Sequence, residues 1–358
     1  MYFDIQPKTK KEDLFGVDFA LSTLLHHLSN PLTRMVVIKG LRRTGKTSLL
    51  NVAIQEYKSY AIKIDVRQSP YYDRQEFYLH LVQQIKKAVG ESLLEKIAKG
   101  ISSVKISYKD FSTTLFLSKE ENIGFFFEKI NAEMEKKKTF LVIALDEAQL
   151  LKHIEFDQIL ASIFDNYKHI KLIITGSEIG LLDKFIGHQE YKAPLFGRAS
   201  MEIELKPLKT EQTALFLQQG FAQINKKISF EEIQEVIEHL DGILGWTTLY
   251  GWARAQGNSP ERSLEVVEQD GTEMVRRELD LFLQGRKAKE KYRKVLRHLA
   301  RGNNSWTLLR HSLAKEKIAA TDSQLNLYLR ELLDYNFIEK AAEKYFIADP
   351  LLIRAIKG

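Results

Sequence analysis

The stretch VVIKGLRRTGKTSLL, Val36 to Leu50, constrains the fold of this chain more than any other part of the sequence. Its run Gly40-x4-Gly45-Lys46-Thr47 matches the phosphate-binding pattern G-x-x-x-x-G-K-S/T. Apolar residues precede the loop, as in a buried parallel strand, and residues with helical periodicity follow it. The pattern therefore predicts a strand, a phosphate-binding loop and a helix. The alternative is an ordinary glycine turn between a strand and a helix.

Each residue type in this loop has a physical reason to be there. Glycines let backbone N–H groups converge on phosphate oxygens, and the helix N-terminus adds a partial positive charge. We expect Lys46 to reach the β- and γ-phosphates and the Thr47 hydroxyl to bind Mg²⁺. The predicted nucleotide-binding residues of the loop are Gly40, Leu41, Arg42, Arg43, Thr44, Gly45, Lys46, Thr47 and Ser48.

An acidic pair ends a second apolar run, FLVIALDEAQ, at residues 140–149. A phosphate site of this kind needs an acid at the end of a buried strand, and Asp146 is predicted to hold Mg²⁺ through water. Glu147 is then placed to polarise the attacking water as general base. The alternative is an acidic pair that only caps the end of a strand.

Three further polar residues are candidates for the chemistry. Thr175 and Ser177 end the strand in LIITGSE, where a polar side chain would lie beside the γ-phosphate and the attacking water; ordinary turn chemistry is the alternative for either residue. Arg198, in PLFGR, is a candidate arginine finger that would stabilise charge on the transferring phosphate, from the same chain or across an oligomer interface. A plain surface arginine is the alternative.

Strand and helix patterns alternate over residues 1–205 and predict an α/β fold with a mostly parallel sheet covered on both faces. The predicted strands are residues 35–40, 60–66, 139–149 and 170–178. Two long, charged helices are predicted at 73–99 and 120–137, and the alternating sequence between them, 103–117, predicts an inserted strand pair.

The remaining patterns divide the chain into three predicted domains: a P-loop core at 1–206, an all-α lid at 207–284 and a C-terminal unit at 285–358. In the lid, Thr210 and Ser229 are predicted N-cap residues. In the C-terminal unit, three helices begin near Lys291, Ser305 and Thr321, and a two-stranded hairpin follows. That layout is typical of a winged helix.

Charge and composition narrow the functional classes. The chain has a net charge of +6, and residues 286–358 hold 16 Lys or Arg against 8 Asp or Glu, so the positive excess is C-terminal. Such a block favours a polyanion partner, although a solvated basic surface is the alternative. Cysteine is absent, which excludes thiolate metal sites and cysteine nucleophiles. The sequence has neither an apolar run of ~18–20 residues nor a secretory leader pattern, and we expect a cytoplasmic protein.

Several motifs occur together in an order that resembles a known family. They are the phosphate loop, ALDEAQ, LIITGSEIGLL, APLFGR, IELKPLK, DGILGWTTLYG and KYFIADPLL. The chain is similar over nearly its whole length to the P-loop ATPases found predominantly in archaea. That family belongs to the AAA+/STAND group and usually carries a C-terminal winged helix. The layout also resembles origin-recognition-type initiators.

The resemblance implies an adenine nucleotide, ATP or ADP, between the sheet domain and the lid. It makes Thr175 the sensor residue and Arg198 the finger, and it places Phe15, Gly16 and Pro207 beside the adenine.

The C-terminal unit carries candidate contacts to duplex DNA. The third helix has an apolar face of Leu325, Leu329, Leu332 and Leu333, which leaves polar side chains outward. Outward side chains of such a helix can reach base edges, and hairpin lysines can meet the phosphate backbone. The candidates are Ser323, Gln324, Asn326, Arg330, Lys340 and Lys344. Because winged helices also dock proteins, a protein partner is the alternative.

Together these patterns predict a slow, Mg²⁺-dependent ATPase that acts as a nucleotide switch coupled to DNA binding. Two other hypotheses remain open at this point. One is a DNA-binding regulator that holds ADP as a structural ligand. The other is a STAND-like scaffold that forms homo-oligomers on ATP and binds protein through its winged helix.

Overall fold

The computed structural model describes residues 1–68, 73–101, 114, 118–188, 192–316 and 320–357. Within these residues, five strands form one parallel sheet with the order β2-β3-β4-β1-β5. The strands are β1 Met35–Gly40, β2 Tyr60–Asp65, β3 Leu141–Asp146, β4 Ile170–Gly176 and β5 Met201–Leu205. The strand pair predicted at 103–117 lies outside the described residues, apart from Thr114.

The four strands predicted from apolar runs are confirmed, and β5 is a strand that the patterns missed. The strands β1, β3 and β4 are buried at every residue, because both faces of the sheet are covered. The strand β5 is short, lies at the edge of the sheet and buries only Ile203 and Leu205. A five-residue, half-exposed strand has too little apolar signal to be recognised from sequence.

Helices cover both faces of the sheet, as the α/β prediction requires. Val36 and Ile38 of β1 point to the face covered by α1 and α2, whereas Met35 and Val37 point to the face covered by α3 to α7. These opposite directions follow from the two-residue period of a strand. The core helices are α1 Asp18–Ser29, α2 Lys46–Glu56, α3 Arg74–Val89, α4 Glu91–Ile101, α5 Glu120–Lys136, α6 Phe156–Asn166 and α7 Ile179–Ile186.

The lid is helical and includes the first residues of the chain. Phe3 is fully buried among lid residues and packs edge-on against Phe216 and Phe221. Gly220 and Gly251 flank the Phe3 ring so closely that a Cβ on either would overlap it. The lid helices are α8 Thr210–Gln223, α9 Phe230–Leu240, α10 Leu244–Ala255 and α11 Pro260–Leu283.

The helix ends of the lid agree with one of the two predicted caps. The Ser229 hydroxyl accepts a hydrogen bond from the Glu232 N–H, as an N-cap should. The prediction for Thr210 is wrong by one residue: Thr210 is the first helical residue and Lys209 the N-cap residue. The Lys209 N–H donates to Gln212 Oε1 at 3.0 Å, which is the backward half of a capping box.

In the described residues of the C-terminal unit, three helices are followed by an antiparallel hairpin and by a further helix that the patterns missed. Its elements are α12 Lys289–Ala300, α13 Trp306–Lys315, α14 Asp322–Asp334, β6 Ile338–Ala341, β7 Lys344–Ile347 and α15 Pro350–Lys357. Ser305 also forms a β-bridge with Lys344. Buried side chains of the lid and of this unit form one continuous hydrophobic cluster, so the two parts pack as neighbours. The assignment of the C-terminal unit as a winged helix stays a prediction.

Among the described residues, no helix combines the length and the apolar character that crossing a bilayer requires.

Candidate active site

The phosphate loop connects β1 to α2 with the backbone that its glycines predict. Gly40 has φ +154° and lies so close to the Leu205 carbonyl that a Cβ would overlap it. Gly45 has φ +95° directly before α2, and Arg43 also adopts a left-handed conformation, with φ +67°. In the part of the chain that the structure describes, no side chain caps α2, so its first N–H groups point into the loop.

Lys46 is buried, with 5 % of its surface exposed, and its Nζ donates to the carbonyls of Gly40 at 2.8 Å and Leu41 at 2.6 Å. Burial lowers the pKa of Lys46 to about 8, while the nearby carboxylates of Glu147 and Asp146 oppose that shift. A buried amine between carboxylates and the phosphate loop is suited to a multiply charged anion, which would stabilise its protonated form.

Three predicted residues meet at the carboxyl ends of neighbouring strands. Asp146 ends β3 and is fully buried; its Oδ2 accepts from Thr47 Oγ1 at 2.8 Å, and its Oδ1 accepts from Thr175 Oγ1. Arg67, which follows β2, places its Nη2 3.8 Å from Asp146 Oδ2. The strand order brings β3, β4 and β1 side by side, so these groups are neighbours despite their separation in sequence. A hydroxyl oxygen and a carboxylate oxygen are ligands that Mg²⁺ prefers.

Glu147 follows in a left-handed conformation, with φ +59°, and is 6 % exposed. Its Oε2 accepts from the N–H and the Oγ of Ser177, both at 3.0 Å, and from Gln149 Nε2 at 2.8 Å. Ser177, which follows β4, therefore helps to hold the Glu147 carboxylate in place. Ser177 was expected beside the γ-phosphate and the water, and it lies instead against Glu147; Gln149 had no predicted role.

A cavity of about 880 Å³ lies over the loop and is lined by residues of the core, the lid, the N-terminal segment and the C-terminal unit. Its lining includes Lys46, Thr47, Ser48, Glu147 and Ser177. The volume is within the usual range for small-molecule and cofactor sites.

One wall of this cavity is aromatic. Tyr2 stacks on Phe216 at 5.4 Å between ring centroids, and Phe15 packs edge-on against both rings. Of the three residues predicted to lie beside the adenine, Phe15 lines the cavity, whereas Gly16 and Pro207 do not. The N-terminal segment at Tyr2 was missed, since a short extended segment carries no periodic signal.

The two loop arginines join the core to the lid. Arg42 pairs with Glu178 of the core and with Glu278 of α11, both at 2.8 Å. Arg43 pairs with the other Glu278 oxygen at 2.7 Å and lies over the Trp246 ring, 4.1 Å from its centroid. The two carboxylates raise the pKa of Arg42 despite its burial. This charged network became visible only in the folded chain.

Arg198 and the DNA candidates lie away from the cavity. Arg198 Nε donates to Asp165 at 2.9 Å, and Arg198 is not among the residues that line the cavity. The predicted DNA-facing side chains are exposed, but several are engaged. Gln324 accepts from the Thr321 N–H, Asn326 accepts from Trp306 Nε1, and Lys340 pairs with Glu343.

Comparisons with known proteins place this site in a family. The profile described as "ATPase domain predominantly from Archaea" matches residues 18–245. The Walker-type ATPase paby2304 of Pyrococcus abyssi is 28 % identical with a TM-score of 0.83, and the match covers 100 % of both chains. The ORC2 protein of Aeropyrum pernix, solved as ADPNP–ADP complexes, is 12 % identical with a TM-score of 0.60 over 99 % of this chain and 96 % of that one. This last likeness shows a shared fold.

One curated relative also matches. The uncharacterised protein MJECL04 of Methanocaldococcus jannaschii is 29 % identical over 177 residues, or 48 % of this chain. The chain spans only 34 % of that relative's length. The profile match, the phosphate loop and the buried acidic pair agree: the chain belongs to the family of ATPase domains found predominantly in Archaea, and it is a P-loop ATPase.

Proposed function

We propose that this ATPase binds ATP with Mg²⁺ in the cavity and uses slow hydrolysis as a switch that repositions its C-terminal unit on duplex DNA. One observation carries the proposal. Lys46, Thr47 and Glu147 line a cavity that the lid and the C-terminal residues Tyr335 and Phe337 also line. A change in the bound nucleotide would therefore act on all three parts of the chain at once.

We infer a role for each residue at the phosphate end of the site. Lys46 would bind the β- and γ-phosphates, and Thr47 and Asp146 would hold Mg²⁺, which neutralises charge on those phosphates. Glu147 would take the proton of the attacking water, and Thr175, already bonded to Asp146, would lie beside the γ-phosphate. The adenine would lie against the aromatic wall of Tyr2, Phe15 and Phe216.

The switch would work through the loop arginines. Arg42 and Arg43 hold Glu278 of the lid helix α11 while they face the cavity. Phosphate oxygens placed in the loop would compete with Glu278 for these guanidinium groups, since both are oxygen anions suited to arginine. Nucleotide binding would then change the position of α11, and with it the C-terminal unit packed against α11.

The DNA part of the proposal is supported by charge and exposure. The C-terminal basic excess provides a sequence-independent attraction to phosphate. Arg330 and Lys344 are exposed there. Arg198 lies away from its own cavity, so a finger role would require a second copy of the chain in a homo-oligomer.

The test is steady-state ATP hydrolysis by the purified protein, with and without duplex DNA at low salt. We expect DNA to stimulate turnover and high salt to abolish the stimulation. Lys46→Ala should abolish nucleotide binding. Glu147→Gln should keep binding and lower turnover by about 10²–10⁴-fold, the contribution of general base catalysis. Full turnover by Glu147→Gln would refute the assignment of the base.

A second candidate function is a nucleotide-gated scaffold that binds protein. It is favoured by the acidic residues of α14, because Asp322 pairs with Arg310 and Glu331 pairs with Arg286, which weakens the positive field there. ATP-dependent oligomerisation without affinity for DNA would support this function. Salt-sensitive DNA binding with ADP retained and no turnover would instead indicate a regulator in which ADP is structural.

A further inference from the structure

The C-terminal unit contacts the residue that holds the acidic side chain of the active site. Asn336 lies in the turn between α14 and β6, and its Nδ2 donates to the backbone carbonyl of Ser177 at 2.8 Å. Asn336 adopts φ +58°, a left-handed conformation that asparagine and glycine tolerate better than other residues. The turn thus brings this carboxamide against the end of strand β4.

Close packing around this hydrogen bond shows that the contact is part of a docked surface. A Cβ built on Gly180 would lie 2.5 Å from the Asp334 Cα, so α7 and the end of α14 approach each other at backbone distance. Lys184, one turn further along α7, forms an ion pair with Asp334. The segment from Asp334 to Asn336 therefore packs on α7, beside Ser177.

The next link runs from Ser177 to Glu147. The Ser177 N–H and Oγ both donate to Glu147 Oε2 at 3.0 Å, and Gln149 Nε2 donates to the same oxygen at 2.8 Å. Gly176 leaves space for Gln149, because a Cβ there would overlap its carboxamide. With Oε2 engaged by these donors, the rotation of the carboxylate is fixed, and Oε1 is the oxygen left to take a proton.

We propose that Asn336 is a positioning residue for ATP hydrolysis: by holding the Ser177 carbonyl, it lets the C-terminal unit set the orientation of Glu147. The inference rests on the proposed role of Glu147 as general base. A base is effective only when a further group orients it, and a misplacement of about 1 Å can cost about 10²-fold in rate. Asn336 does not line the nucleotide cavity, so its effect should fall on kcat and not on ATP binding.

The test compares two matched substitutions in the full-length protein. Asn336→Gly removes the carboxamide and keeps a residue that favours φ +58°. Asn225→Gly is the control, because Asn225 is exposed, has φ +55° and follows α8, away from the site. We expect kcat to fall about tenfold for Asn336→Gly. KM for ATP should stay within about twofold, and the control should match the wild type.

A second variant and a stability measurement keep the test decisive. Asn336→Asp has the same shape but no N–H donor, so its kcat should fall at least as far while the melting temperature stays near that of the control. Equal kcat values for Asn336→Gly and Asn225→Gly would overturn the inference, and so would a rise in kcat. A raised KM for ATP together with a lowered melting temperature would also overturn it. Glu147→Gln is measured alongside to distinguish failure of this inference from failure of the proposed function. Full activity of Glu147→Gln would refute the role of Glu147 as general base.

Discussion

Replacing Phe3 with Ala should loosen the N-terminal segment and weaken ATP binding in the same step. Phe3 is fully buried in the lid, between the faces of Gly220 and Gly251, and packs against two phenylalanine rings. The preceding residue, Tyr2, forms part of the aromatic wall of the cavity and stacks on Phe216. The burial of Phe3 in the lid therefore holds Tyr2 in position at the cavity wall.

The size of the effect follows from these contacts. Phe→Ala in a packed core costs about 3–5 kcal/mol, and each aromatic pair adds about 0.5–1.5 kcal/mol beyond its buried area. We expect a loss of about 3 kcal/mol in the free energy of unfolding, the lower end of that range. Stacking of a base on an aromatic ring contributes about 1–3 kcal/mol, so the loss of Tyr2 from the wall should weaken ATP binding about tenfold.

Two measurements on one preparation test this prediction. Urea unfolding gives the free energy of unfolding, provided that its slope against urea concentration is the same in both proteins. Isothermal titration calorimetry gives the dissociation constant for ATP. Phe19→Ala is the matched control, because Phe19 on α1 is 85 % exposed and its loss should change stability by less than about 0.5 kcal/mol. Wild-type stability and affinity in Phe3→Ala would refute the reasoning. Lost stability with unchanged affinity would refute the link between Phe3 and the cavity wall.

Two more predictions follow from the buried cations and from Arg198. Burial lowers the pKa of both Lys46 and Lys171 to about 8, below the ordinary 10.5, so the unfolded chain binds more protons above pH 8. The free energy of unfolding of the nucleotide-free protein should then rise between pH 8 and 10.5. Lys46→Met should reduce that rise in urea titrations, and an unchanged dependence of stability on pH would contradict the lowered pKa of Lys46. Arg198→Ala should lower turnover only through a neighbouring copy, so mixing it with excess Lys46→Ala protein should restore activity; mixtures no more active than Arg198→Ala alone would exclude that role.

What could be predicted from the sequence was mostly local in the chain. The phosphate loop is one continuous strand, loop and helix, so its pattern is readable without knowledge of the rest of the fold. The nearness of Asp146 to this loop was also predictable, because parallel strands end at the same edge of a sheet. Fully buried strands carry long apolar runs, and for that reason β1, β3 and β4 were recognised while the half-exposed β5 was not.

What only the tertiary structure decided were the contacts between residues far apart in the chain. Tyr2 reaches the cavity because Phe3 is buried in the lid, and Asn336 reaches Ser177 because α14 packs on α7. Neither residue belongs to a motif, since each acts through a docking that depends on shape and charge across two parts of the fold. The sequence by itself determined the chemistry of the phosphate site; the packing of lid, N-terminus and C-terminal unit decided which residues surround it, because such contacts depend on three-dimensional complementarity that no local pattern encodes.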